Sequence, residues 1–210
     1  MTPNTRHLTF SLAGALLLLA GSLHAQTTRF DAQPLGSKVK LEGTSTVHDW
    51  TMEGAIIGGF VELDSGFVAA PDKAQPGKVA ATAQVTIPIR SLKSGKDSMD
   101  AVMQDAMKQD QFPRIVYRLT ALTLKATPKS AEGPYEFNSN GELIISGVTN
   151  KVSFPVTMQR VEGKKLKTSG STSVKMTAFG IQPPAPKIAL GFITTGDDVK
   201  VSFDWLSSQK

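Results

Sequence analysis

Residues 141–162 constrain the fold more than any other stretch of this chain. They read as two alternating strands joined by a turn predicted at residues 147–150. On the second strand Val152, Phe154, Val156 and Met158 share one face, and Lys151, Ser153, Thr157 and Gln159 share the other. Such alternation suits a sheet with one dry and one wet face. The same grammar recurs along most of the chain, so the functional question is what the dry face surrounds.

Val39 and Leu41 alternate with Lys38, Lys40 and Glu42, and His48, Trp50 and Met52 fall on one face of the next predicted strand. Residues 60–68 continue as strand after a bend at Gly58 and Gly59. Val79, Ala81, Ala83, Val85, Ile87 and Ile89 alternate strictly, and the small alanines suggest an interior that leaves room or tapers. Ile115, Tyr117 and Leu119 change phase before Leu122 and Leu124, which predicts a bulge. Residues 166–178 and the chain end at Val199, Val201, Phe203 and Trp205 supply further strands. Met99, Val102, Met103, Ala106 and Met107 recur at helical spacing and predict one helix over about 96–109. Ser94 and Asp97 form a possible capping box, and Asp97 and Asp100 suit the helix start. About eight to ten strands with one helix make this an all-β chain, a sandwich or a barrel.

Arg6, the apolar run over residues 8–23 and the Leu23-His24-Ala25 site have the layout of a secretory signal peptide over 1–25. A single domain over 26–210 then remains, bound for the periplasm or the exterior. That length buries a core without disulfides, and the chain has no cysteine. Of the 23 basic residues one lies in the leader, leaving 22 against 18 acidic, scattered rather than striped. Nucleic-acid binding is therefore not expected.

Catalytic residues are scarce. His7 and His24 lie in the leader, so His48 is the one histidine of the mature chain. An intrachain zinc site of His and Cys ligands is excluded, and neither a catalytic residue nor a metal or cofactor is assigned. His48 is formally able to act as a base, but no nucleophile elbow precedes a helix, and Asp49 would sit on the opposite strand face. The acid pairs Asp97/Asp100 and Asp197/Asp198 read as helix-start and turn residues.

Five segments in order carry a family resemblance: residues 39–63 with Gly58-Gly59-Phe60-Val61, residues 87–97, residues 111–115 around Phe112-Pro113, the hairpin 141–152, and Ala178-Phe179-Gly180-Ile181. Together they resemble the YceI-like family of exported bacterial proteins. The resemblance implies an antiparallel lipocalin-like β-barrel of about eight strands, with the helix packed at its mouth. It also implies a long-chain isoprenoid or other amphipathic lipid held in the interior. The family often has a histidine where Ser98 and Met99 stand here, so a ligand contact through that histidine does not carry over. The expected cavity lining is His48, Trp50, Met52, Met103, Met107, Phe112, Ile115, Tyr117, Phe154, Val156, Met158, Phe179 and Phe192. Two alternatives stay open. One is a filled barrel that serves as an interaction module, in transient contact with membrane or envelope proteins. The other is a hydrolase or isomerase with His48 as base. The sequence assigns no oligomeric state.

Overall fold

Alternation of the kind seen at residues 152–158 closes into a tube in the computed structural model, which describes residues 26–185, 187–188 and 191–210, with the backbone alone for 187, 188, 191 and 192. The predicted leader lies outside the described residues. In chain order come β1 (Thr27–Ala32), β2 (Lys38–Ser45), β3 (Trp50–Gly54), β4 (Gly58–Asp64), α1 (Ser65–Ala69), β5 (Gly77–Val79) and β6 (Ala81–Pro88). Then follow α2 (Asp97–Ala106), β7 (Arg114–Leu124), β8 (Tyr135–Ile145), β9 (Val148–Val161) and β10 (Lys165–Lys175), with β11 (Lys187–Ile188), β12 (Gly191–Phe192) and β13 (Thr195–Gln209) at the end.

Eight strands form an antiparallel ring in the order β1-β4-β6-β7-β8-β9-β10-β13, and β13 closes it on β1 through Phe30–Ala32 against Ser207–Gln209. This is the expected all-β barrel, with extra strands: β2 and β3 attach to the upper part of β13, and β5 pairs the lower part of β7. Closure leaves few unpaired strand edges. Along β9 the even-numbered residues from Val152 to Met158 are shielded while Lys151, Ser153, Pro155, Thr157 and Gln159 are exposed, as the pattern required.

Several expectations shift. The hairpin turn is the two residues Ser146 and Gly147, both at positive φ (51° and 80°), and Ile145 pairs directly with Val148. That is the turn whose twist matches two right-twisted strands, so residues 148–150 belong to the strand rather than to the turn. The stretch 60–68 is not one strand. Asp64 ends β4, its carboxylate accepts the Phe67 N–H at 2.8 Å, and α1 begins there. Phe67 is thereby turned edge-on to Tyr135 and Phe137, at 5.5 and 5.6 Å between ring centres. The run 79–89 splits at Ala80 into β5 and β6, and the bulge predicted between Leu119 and Leu122 lies between Leu119 and Ala121. The strand expected over 166–178 stops at Lys175, and residues 177–179 form a single tight helical turn. Among the described residues no helix is long and apolar enough to cross a membrane.

Candidate functional site, an apolar lumen beneath a helix

The barrel encloses a cavity of about 530 Å³. Its upper end, the mouth, lies under α2, the β8–β9 turn and the β2–β3 loop. Its lower end rests on Met158, Leu122, Thr168 and Trp205, and beneath these Phe67, Tyr135, Phe137 and Leu124 form a solid plug. Val85, Leu119, Leu143, Phe154, Val174, Val201 and Phe203 point inward yet are only half-buried, because each borders the open space even where, as for Phe154 and Phe203, two rings meet edge-on.

The space has a cause in the sequence. Interior positions of three strands hold glycine where an aromatic ring must lie flat. A Cβ on Gly43 would meet the Trp50 ring at 2.2 Å, one on Gly141 the Arg118 carbonyl oxygen at 2.4 Å and the Tyr117 ring at 2.5 Å, and one on Gly170 the Phe203 ring at 2.7 Å. Each ring lies along the wall over its glycine instead of projecting into the lumen. An eight-stranded barrel is just wide enough to be filled by its own side chains, so these close approaches help keep this one open.

Of the residues expected to line the interior, His48, Trp50, Met52, Met103, Met107, Ile115, Tyr117, Phe154, Val156, Met158 and Phe179 border the cavity. Phe112 does not. Its ring covers Gly147 on the outer side of the hairpin turn and is 36% exposed, because the chain leaving α2 passes outside the barrel before β7 begins. The side chain of Phe192 lies outside the described ones. His48 was expected on a strand face beside Trp50, but β3 starts at Trp50 and His48 sits in the exposed loop before it. Its Nδ1 is 2.8 Å from the Asp49 carbonyl oxygen, and the Ser45 hydroxyl donates to the His48 carbonyl (2.6 Å) rather than to the ring. Among the described residues no cluster of three or more His, Cys, Asp or Glu could hold a metal ion.

Polar groups in the lining are few and layered. At the mouth are Ser45, His48, Lys96, Ser98, Thr172, Lys175 and Thr195. Halfway down, the Tyr117 hydroxyl and Ser139 Oγ satisfy each other at 2.7 Å. Burial pushes the Tyr117 phenol up, against the weaker opposing pull of the Ser139 hydrogen bond. At the lower end Thr168 Oγ1 and Trp205 Nε1 are buried with no hydrogen-bond partner in the protein.

Helix α2 covers the mouth with Met99, Val102, Met103 and Ala106 facing the cavity. The helix is shorter than the predicted 96–109, and the expected Ser94–Asp97 capping box does not form. Lys96 is the cap residue and makes no side-chain cap. Asp100 takes the part instead: its carboxylate accepts the Ser94 N–H and hydroxyl, both at 2.7 Å, and pairs with Lys93 at 3.3 Å. At the other end Ser146 Oγ donates to the Met107 carbonyl at 2.9 Å, which ties the helix to the β8–β9 turn.

The Asp100 latch gives a pH-dependent prediction. Burial alone would raise its pKa, but the two Ser94 donors and the Lys93 ammonium together hold it below the ordinary 3.8. A depressed carboxylate contributes stability above its unfolded pKa and loses it as pH falls through the folded one. Asp100→Asn is therefore expected to cost about 1–3 kcal/mol at neutral pH. The gap in Tm between variant and wild type should close as pH falls below about 4. Thermal unfolding of both proteins across the acid range checks this, and a gap that stays constant would assign the latch to neutral hydrogen bonds.

The lining also contains residues not among the expected set. Val39, Leu41, Val85, Ile87, Leu119, Leu143, Val174, Val201, Phe203 and Trp205 face the cavity. Of these only Leu119 shares a strand and phase with expected residues, Ile115 and Tyr117 on β7, and the pairing of the strands places the others around the same space.

Comparison with known proteins follows the same architecture. The model of the YceI-like domain matches residues 24–205. Among solved structures the chain is similar to BcnA from Burkholderia cenocepacia, at 21% identity and a TM-score of 0.59, over 81% of this chain and 95% of that one. It is similar to a polyisoprenoid binding domain from Saccharophagus degradans implicated in plant cell wall breakdown, at 12% identity and a TM-score of 0.62, over 88% and 100%. A YceI protein from Campylobacter jejuni is 19% identical with a TM-score of 0.53, over 74% and 82%. At these identities the likeness shows the fold. No curated protein sequence matches the chain significantly.

Proposed function

This chain belongs to the YceI-like domain family, and from that membership we propose that it is an exported lipid-binding protein holding one long polyisoprenoid-type chain in its barrel. The observation that carries the reading is the lumen of about 530 Å³, lined mostly by apolar side chains, with α2 across its mouth. That volume lies in the range of small-molecule sites, and an eight-stranded barrel holds a single ligand. The polyisoprenoid binding domain of Saccharophagus degradans, which has the same fold, supports the ligand class.

Affinity requires no special residues. Each buried methylene contributes about 0.8 kcal/mol, so some twenty buried carbons contribute roughly 16 kcal/mol before association costs of several kcal/mol. Micromolar binding remains for association costs of up to about 8 kcal/mol. Val47, Val102, Phe112 and Val148, four of the six large apolar side chains exposed among the described residues, lie at the mouth end, which suits transient contact with a membrane during loading. The layout of residues 1–25 supports export through a cleaved leader, with Gln26 as the new first residue.

The test is expression with the native leader in a bacterial host, followed by mass spectrometry of the intact protein and of its organic extract. The expected result is a mature chain beginning at Gln26 carrying about one equivalent of a long-chain lipid. Protein that emerges without stoichiometric lipid and does not take any up from isoprenoid-containing vesicles would sink the proposal.

A further inference from the structure

Among the described residues four buried side-chain polar atoms have no hydrogen-bond partner in the protein, and the two that line the lumen, Thr168 Oγ1 and Trp205 Nε1, both lie at its lower end. Thr168 in β10 and Trp205 in β13 are direct cross-strand partners, so their side chains stand side by side on the inner face. Both residues are buried, at 5% and 3% exposure, and both line the cavity. No protein group hydrogen-bonds Thr168 Oγ1 or Trp205 Nε1. A buried donor without an acceptor is costly, and native folds rarely leave two such groups adjacent. The nearest comparable pair in the lumen, Tyr117 and Ser139, satisfies itself.

We propose that Thr168 and Trp205 form a subsite for a neutral carbonyl oxygen, so that the lipid enters carbonyl end first and its hydrocarbon trails toward the mouth. This rests on the lipid-binding reading above and names the ligand's buried end. The indole N–H is only a donor and the threonine hydroxyl is able to donate, so the complementary group is an oxygen with two lone pairs. Charge excludes an anionic head at this depth. The charged side chains of the described lining, Lys96 and Lys175, both lie at the mouth with His48. A phosphate carried to the lower end would be buried without a cation, whereas a ketone- or quinone-type carbonyl is buried at little cost once both donors reach it.

The experiment compares two probes of matched length, 2-tridecanone and tridecane, bound to lipid-stripped full-length mature protein and quantified by gas chromatography of the bound fraction. Wild type is expected to favour the ketone by about 3- to 10-fold, the worth of a hydrogen bond to a buried donor. Thr168→Val, which keeps the side-chain shape, is expected to cut that preference roughly threefold, with the ratio taken against tridecane bound by the same variant. Trp205→Phe should cut it further, but because Trp205 is part of the core the Thr168 variant decides. Equal binding of the two probes by wild type, or a preference unchanged in Thr168→Val, overturns the subsite and leaves the lipid-binding reading standing. If neither probe binds, the lipid-binding reading falls, and the subsite with it.

Discussion

Placing bulk in the lumen from three walls, as Val85→Phe, Leu119→Trp and Val201→Trp together, is expected to reduce retained lipid at least 100-fold while the barrel still folds. The three residues sit on β6, β7 and β13, half-buried and facing the same space. None is packed tightly enough for a larger side chain to be forced into the wall, so the usual penalty for overpacking a core is not incurred. The added rings instead occupy the volume that eight-stranded barrels commonly fill with their own side chains. Stability should hold or rise, because apolar surface now bordering open space becomes covered. Organic extraction with mass spectrometry reads the lipid, and thermal unfolding reads the fold. A triple variant that carries lipid at wild-type stoichiometry would place the ligand outside the barrel.

Much of this architecture is legible in the residues, and the legible part has a physical reason. Strand phase is local, so Val152 to Met158 declare their dry face without help from the rest of the chain. The helical stripe of Met99, Met103 and Met107 does the same, as does the bulge between Leu119 and Ala121. What local pattern leaves open is decided by neighbours distant in sequence. Phe67 looks like the continuation of β4, but the Asp64 cap and the edge-on fit to Tyr135 and Phe137 turn it into α1. Asp97 fits a capping box by spacing, yet the carboxylate that Ser94 reaches is Asp100, six residues on. Phe112 belongs by composition with the lumen aromatics, and only the path of the chain between α2 and β7 sets it on Gly147.

The polar features of the site were the least legible. Thr168 and Trp205 read as ordinary members of alternating strands, and their lack of partners is a property of everything packed around them. The interior glycines are a signal that sequence does carry, once the register is known. Gly43 is paired with Trp50, Gly170 with Phe203, and Gly141 lies one step from the partner of Tyr117. A glycine opposite or diagonal to an aromatic on the same face marks a ring laid flat, and three of these around one barrel mark a lumen rather than a filled core.

That distinction between core and lumen gives the second large effect. Phe137 is fully buried below the cavity, packed edge-on against Phe67 with Tyr135 beside it. Phe137→Ala removes a ring from close-packed surroundings and is expected to cost about 3–5 kcal/mol, because the plug cannot collapse into the space left behind. For a domain of this size that is a fall in Tm of roughly 10 °C or more. Val201→Ala, higher on the same inner surface, is expected to cost about 1 kcal/mol or less, since the deleted methyl groups already border open space. The lipid-free protein is the form to measure, because a bound chain would add its own stabilisation at Val201 and narrow the difference. Adding back lipid should therefore raise the Tm of wild type more than that of Val201→Ala and leave the Phe137→Ala deficit in place. Equal costs at the two positions would mean that the barrel is packed throughout, with no lumen for a ligand to fill.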